Sequence, residues 1–335
     1  MGIPILIDLA VGAADFPPRS APAADGTASA VDTATPPEPV SLSDAVAIAA
    51  AAREAGVAAL RLPERAGERR ALDPSVAGAY LAGVVGDLGY LVDLPTTHNA
   101  PYNAARRILS FDRATAGRTG VVLRPGAGDE VSDATTPDPT ALTAAERWAE
   151  YARILARLWE SFPRVALIGD AERALVADDA LIAAIDHDGR GYRVAGPLDG
   201  PSSVQGRPVI AATDPAELGW AVVAGAADVV IVEADVVAGA DAALTEALDR
   251  VDRRRTGIAL IGRVAVDLGR DPRVVADELA EWAATHRLDG LEPTTAGGAE
   301  ALLTLVRELV PLLAASPAAT LRASLGLYET AAVPR

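Results

Sequence analysis

Few side chains in this sequence can move a proton at neutral pH, and they are scattered. There are three histidines, His98, His187 and His286. His98 follows Thr96 and Thr97 directly after an apolar run of strand length. An imidazole there titrates near neutrality and can shuttle a proton; the alternative is a histidine that only packs. His187 lies in the turn Asp186-His187-Asp188-Gly189 and reads as scaffold. His286 ends a helical pattern, where an imidazolium suits the helix dipole. No two histidines share the spacing of a ligand pair, and cysteine is absent, so no metal site is expected. All 30 basic residues are arginine. Schiff-base chemistry, lysine bases, thiolate nucleophiles and disulfides are thereby excluded. The remaining material is hydroxyls, carboxylates and guanidiniums at strand ends. Arg124 ends one strand, and Asp214-Pro215 follows the next, a good helix cap followed by a good first helical residue.

The elements that position these groups alternate between strand and helix. Strands are expected at Ile3 to Val11, Val57 to Leu62, Leu88 to Leu94, Thr119 to Leu123, Pro208 to Ala212, Asp228 to Glu233, Gly257 to Val266 and Gly290 to Glu292. Ser41 and Ser43 offer caps for a helix through Glu54, which Gly56 stops. Asp73-Pro74 starts a helix from Ser75 to Val85 that is apolar on every side and so needs cover all round. Further helices are expected at Ala104 to Phe111, Ala141 to Phe162, Glu217 to Ala224, Ala240 to Arg253, Pro272 to His286 and Ala299 to Ala314. The Pro-, Ala- and Asp-rich stretch 13–40 reads as a long first loop, either a lid or a disordered insertion. Gly126 to Thr140 is a polar loop, and 163–206 an excursion with a hairpin. Eight strand-helix pairs predict a single (β/α)8 TIM barrel over 1–335, an α/β fold with its chemistry at the carboxyl ends of the strands. No glycine-rich dinucleotide fingerprint follows the first strand, which weighs against an open doubly wound sheet.

Half the residues are apolar but only 4% are aromatic, so the core must be built largely from Ala, Val and Leu. The formal charge of -16 argues against a nucleic-acid partner, because that affinity rests on clustered cations; Arg253-Arg254-Arg255 reads as a solvated helix end. The opening MGIPILIDLAVG reads as a buried first strand rather than a signal peptide or membrane span. A cytoplasmic protein with a small-molecule substrate is expected.

Three stretches carry a resemblance: Pro101 to Gly120 (PYNAARRILSFDRATAGRTG), Asp186 to Pro208 (DHDGRGYRVAGPLDGPSSVQGRP) and Val310 to Leu327, ending TLRASLGL. In these the chain resembles the bacterial luciferase-like flavin monooxygenases, in particular the nitrilotriacetate and alkanesulfonate type. The resemblance implies a homodimer pairing through Ser75 to Val85 and Ala104 to Leu109, with reduced FMN delivered by a separate flavin reductase. A small organic substrate would be oxidised by dioxygen. It also places candidate flavin contacts at Glu64, where the family has an aspartate, and at the hydroxyls of Thr96 and Thr97; the other reading of Glu64 is a loop carboxylate near Arg65. Several family features are missing. Val122 replaces part of a Trp-Asn pair, and Ala144 and Trp148 stand for a histidine and a tyrosine that hold the flavin phosphate. Thr213-Asp214-Pro215-Ala216 replaces a glycine-serine phosphate loop. Asp214 would repel a phosphate and Pro215 lacks an N–H. Arg124 either compensates by binding the phosphate or pairs with Asp214. The expectation is therefore a monooxygenase with a degraded phosphate site or, alternatively, a degenerate homologue that acts as a non-catalytic subunit or binds another small ligand. A deazaflavin would meet the same obstacle.

Overall fold

A computed structural model describes residues 2–12, 38–66, 69–126 and 142–328. The expected first loop lies outside the described residues except at 38–40, and the polar loop except at Gly126.

Eight strands form one sheet in chain order: β1 (Leu6–Asp8), β2 (Ala59–Leu62), β3 (Tyr90–Pro95), β4 (Thr119–Arg124), β5 (Val209–Thr213), β6 (Val229–Glu233), β7 (Ala259–Ala265) and β8 (Gly290–Thr294). Leu6 lies opposite Ala59, Leu60 opposite Tyr90, Val209 opposite Gly120 and Ile261 opposite Gly290, all in parallel register. A parallel bridge from Ile5 to Leu291 joins the first strand to the last. The sheet therefore has the order and closure of a (β/α)8 barrel. Parallel strands covered on both faces read as continuous apolar runs, which is why β5, entirely buried, is Val-Ile-Ala-Ala-Thr.

The chain divides into two compact units. The first contains Met1–Val92, Ile231–Ala242 and Leu260–Pro317, the second Asp93–Val230, Ala243–Ala259 and Ala318–Arg335. In the first, α1 (Leu42–Ala55) is capped by Ser41, whose hydroxyl accepts from the Asp44 N–H, and ends at left-handed Gly56. Helix α2 (Pro74–Val85) is capped by Asp73, whose carboxylate accepts from the Ser75 and Val76 N–H groups. Within the chain it is not covered all round: Val76, Tyr80 and Val84 are 65%, 48% and 54% exposed. They stand four residues apart on one face, while Ala77, Gly78, Leu81 and Val85 are buried. The last expected helix is interrupted, running as α-helix over Gly298–Thr304, π-helix over Leu305–Leu309 and α-helix over Val310–Leu313. Pro311 accounts for the break, since it offers no N–H to the preceding turn.

In the second unit, α3 (Pro101–Ala114) packs its Ala104, Ala105, Ile108 and Leu109 inward, and the Trp159 indole donates to the Ala105 carbonyl at 2.9 Å. Helix α4 (Ala144–Glu160) starts with a capping box between Thr143 and Glu146. The segment after it carries two short antiparallel pairs, Leu167–Asp170 with Leu175–Ala177 and His187–Asp188 with Arg193–Val194. The helix expected at Glu217 to Ala224 is two pieces, α5 (Pro215–Leu218) and α6 (Trp220–Ala226), separated by Gly219. Among the described residues no helix is long and apolar enough to cross a membrane.

Candidate functional site

Two charged groupings stand at the carboxyl ends of the barrel strands, one in each unit. In the second unit, the ends of β4 and β5 bring Arg124, Thr213 and Asp214 together. Arg124 Nη1 donates to Thr213 Oγ1 at 3.0 Å, and Arg124 Nη2 lies 4.0 Å from Asp214 Oδ2, the two side chains 37% and 49% exposed. Asp214 holds the N-cap position of α5 but in a left-handed conformation, φ 53°, with no side-chain cap bond. This corrects the expectation that its carboxylate caps the helix. Its backbone carbonyl accepts from Glu217 and Leu218, leaving the carboxylate to face the guanidinium. Helix α5 has a single turn and begins with proline, so few aligned N–H groups are available to an anion.

Thr96, Thr97 and Trp148 form wall. Thr96 is buried, its hydroxyl donating to the Pro125 carbonyl at 2.7 Å and accepting from Arg147 Nε at 3.4 Å. Thr97 is also buried and lies against Gly126, φ 53°, where an added Cβ would come within 2.4 Å of the Thr97 hydroxyl. Only glycine fits there. Trp148 has no exposed surface and its indole donates to the Leu123 carbonyl at 2.7 Å, which makes it a core residue with nothing left for a ligand. His98 is exposed and left-handed, φ 59°.

A residue that sequence reasoning missed holds this wall. Arg147, on α4 one turn after Ala144, is buried and donates from Nη2 to the carbonyls of Pro125, 3.1 Å, and Gly126, 2.7 Å. Behind it, Tyr192 donates to the Thr96 carbonyl and Tyr151 to the Asn99 carbonyl, their rings edge to face at 5.5 Å. His187 has the scaffold position expected for it: its Nε2 lies 2.9 Å from Glu150 Oε1, and Glu150 also accepts from the Gly191 and Tyr192 N–H groups.

The first unit holds Glu64 and a buried ion cluster. Glu64 is half-buried, its carbonyl accepting from the Ala71 N–H at 3.0 Å just before the short pair of Arg65–Ala66 with Arg69–Arg70. Asp8 ends β1, Arg61 lies on β2, Glu233 ends β6, Arg263 lies on β7 and Glu292 on β8. Arg263 is the hub. It donates from Nε to Glu292 Oε1 at 3.0 Å, from Nη1 to Glu233 Oε1 at 2.9 Å and from Nη2 to Asp8 Oδ2 at 2.9 Å. Arg61 Nη1 donates to the same Glu292 oxygen at 3.0 Å. Burial works to lower the Arg263 pKa, but Glu292, Asp8 and Glu233 outweigh it, holding the guanidinium above its ordinary value. A signal for this cluster was in the sequence: each member interrupts an apolar strand, where a charge is rare unless paired. Among the described residues no group of three or more His, Asp or Glu side chains is placed to hold a metal ion.

No family model matches the chain. It is 31% identical over 185 residues, 55% of its length, to one subunit of the pristinamycin IIA synthase of Streptomyces pristinaespiralis, and covers 60% of that protein. It is 28% identical over 185 residues to component A of the nitrilotriacetate monooxygenase of Aminobacter aminovorans, of which it covers 41%. The chain thus spans roughly half the length of these curated relatives. Among solved structures, an EDTA monooxygenase from Chelativorans sp. BNC1 superposes with a TM-score of 0.75, covering 98% of this chain and 99% of that one at 18% identity. With the parallel eight-stranded sheet already described, these likenesses show a (β/α)8 barrel fold and a similarity, over about half of the chain, to luciferase-like monooxygenases.

Proposed function

We propose that the protein is the oxygenating component of a two-component monooxygenase, oxidising a small organic substrate with dioxygen and reduced FMN from a separate flavin reductase, and that it holds this flavin weakly. The likeness to a monooxygenase named as one component of a larger system supports the first part. The geometry of Arg124, Thr213 and Asp214 supports the second and is the observation that carries the reading. A tightly held phosphate does not fit this corner as it stands: one carboxylate faces the only guanidinium bonded there, among the described residues, and Pro215 removes a donor. The Arg124 to Asp214 pair is half exposed and so worth at most about 1 kcal/mol, while a carboxylate near a dianion costs on the order of a few kcal/mol. Flavin, when bound, supplies the oxygen chemistry; the chain supplies the walls.

Fluorescence and calorimetric titration with FMN and with reduced FMN tests this. The protein as purified should carry no FMN and bind it weakly, and Asp214→Gly with Pro215→Ser should tighten binding at least about ten-fold, roughly 1.4 kcal/mol. Tight FMN binding by the unaltered protein would overturn the weak-site reading. The second reading, a non-catalytic subunit or a binder of another small ligand, is favoured by Trp148, which the core has absorbed; absence of binding by either flavin, altered or not, would select it. The open face of α2 supports a homodimer. Within the helix expected to pair, Ser75 to Val85, Ala77 and Gly78 are used inside the chain, so the contact would rest on Val76, Tyr80, Gly83 and Val84; a monomer mass by light scattering at micromolar concentration would exclude it.

A further inference from the structure

Arg124 and Asp214 face each other without a hydrogen bond. Arg124 Nη2 stands 4.0 Å from Asp214 Oδ2, beyond hydrogen-bond reach, while Arg124 Nη1 is committed to Thr213 Oγ1 at 3.0 Å. The Asp214 carboxylate accepts nothing among the described residues: it does not cap α5, and the bonds from Glu217 and Leu218 go to its backbone carbonyl. Both side chains are open, 37% and 49% exposed, at the carboxyl ends of β4 and β5, the face where barrels bind their ligands. A donor and an acceptor thus stand on either side of an accessible gap.

The width of that gap selects what bridges it. An oxygen about 2.7 Å from the carboxylate and about 2.9 Å from the guanidinium subtends an angle of about 90° across the 4.0 Å separation, a little tighter than tetrahedral. Such an oxygen must give a proton to Asp214 and take one from Arg124. A hydroxyl does both, whereas an ionised phosphate oxygen only accepts and would meet the carboxylate lone pair to lone pair. The same distinction separates carboxylates that read a ribose hydroxyl from arginines that accommodate its phosphate in dinucleotide sites. Charge acts in the same direction. One guanidinium and one carboxylate cancel, so a neutral group leaves the pair neutral and a dianion does not; Glu217, in the first turn of α5, adds a further carboxylate, and Pro215 withholds an N–H.

We propose that Asp214 selects against a phosphate and for the terminal hydroxyl of a polyol chain, so that this corner takes a flavin without its phosphate, riboflavin in preference to FMN. This deepens the monooxygenase reading and rests on it, since it names the form of flavin that the same site accepts.

The test is a titration of the full chain, by calorimetry and fluorescence, with riboflavin, FMN and lumiflavin, which keeps the ring system but lacks the hydroxylated chain, each oxidised and, without air, reduced. Riboflavin should bind at least about ten-fold tighter than either of the others. Asp214→Asn removes the charge and tolerates the same left-handed backbone; it should bring FMN and riboflavin within about three-fold of each other. Glu278→Gln, at an exposed pair with Arg270, should leave the preference intact. FMN or lumiflavin bound as tightly as riboflavin, or a preference that survives in Asp214→Asn, would each overturn the proposal, the last because the discrimination would then lie elsewhere. If Asp214→Asn does not fold, the ranking of the three ligands on the unaltered protein decides alone. The two readings part in the reduced state. A protein that prefers oxidised riboflavin to oxidised FMN yet holds neither when reduced keeps this site and loses the monooxygenase; one that holds reduced FMN as tightly as reduced riboflavin does the reverse, and binding of no flavin in either state ends both.

Discussion

The two ends of β6 carry one carboxylate each, and they are treated in opposite ways. Asp228, just before the strand, is buried and completely used: Arg207 forks onto both oxygens at 2.9 and 3.1 Å, Arg322 donates to Oδ1 at 3.0 Å and the Ile210 N–H to Oδ2 at 3.0 Å. Glu233, at the far end, has one oxygen bonded and one without a donor. Arg322 belongs to the stretch after the last strand, so Asp228 fastens the tail of the chain under β6. A buried carboxylate satisfied to this degree is a structural fastener, whereas Glu233 is held by a single guanidinium. The same residue chemistry is committed to stability at one end and, at the other, stands on the face where barrels carry their chemistry.

The comparison breaks most severely at Asp228. Asp228→Asn should cost about 3–5 kcal/mol in chemical denaturation, because it leaves Arg207 and Arg322 in place without their counter-charge; a loss below about 1 kcal/mol would mean that the fastener is idle. The pH dependence gives the same information without a mutation. Burial alone would raise the Asp228 pKa, but Arg207 and Arg322 bring it down to about 2. Its contribution is therefore fully present above the unfolded carboxylate value of roughly 3.9 and lost as pH falls from there towards about 2.

A smaller effect of opposite sign is expected at Asp112, which joins α3 to β4 by accepting from the Thr119 N–H at 2.9 Å and from Gln205 at 2.7 Å. Here burial prevails over the hydrogen bonds from Thr119 and Gln205 and the charge of Arg322, pushing the pKa up to about 6. A carboxyl group raised in the folded state stabilises below its unfolded value and loses that contribution as pH rises through about 6. Asp112→Asn should abolish that slope, worth up to about 3 kcal/mol at pH 7, in denaturation curves recorded from pH 4 to 7. A slope unchanged by the substitution would assign it to another group. The smallest effect belongs to Glu233→Gln, whose side chain is 36% exposed and keeps an acceptor for Arg263: stability should change by less than about 1 kcal/mol, in contrast to Asp228→Asn. A loss of several kcal/mol at Glu233 would erase the distinction between the two ends.

Much of the frame could be read from local signals, because caps act within a few residues. Ser41 with Gly56 and Asp73 with Pro74 each announced a helix boundary that the structure contains, whereas the capping box of Thr143 and Glu146 was passed over and the helix expected from Ala141 begins at Ala144. The Arg263 cluster was illegible as a cluster because its bonds join residues 29 to 255 apart in sequence, although single charges inside apolar strands gave notice that something must pair there. Asp214 was misread for a different reason. Asp-Pro has the composition of a cap, yet capping also requires extended backbone geometry at the cap residue, and φ 53° turns the carboxylate away from the helix. Thr96 and Thr97 were expected as flavin contacts from the resemblance and their place after β3; what the sequence does not show is what packs behind them, and the Thr96 hydroxyl is engaged by Pro125 and Arg147.

Arg147 has a consequence for how this wall can change. By holding the Pro125 and Gly126 carbonyls and touching the Thr96 hydroxyl, one side chain of α4 stitches the segments that follow β3 and β4 to a helix, and Tyr151 and Tyr192 add two more stitches at Asn99 and Thr96. The described positions so fastened, Thr96, Asn99, Pro125 and Gly126, have little conformational entropy left to lose when a ligand arrives. At these positions a new ligand is accommodated by exchanging side chains on a fixed backbone, so the selectivity they contribute is set before binding begins.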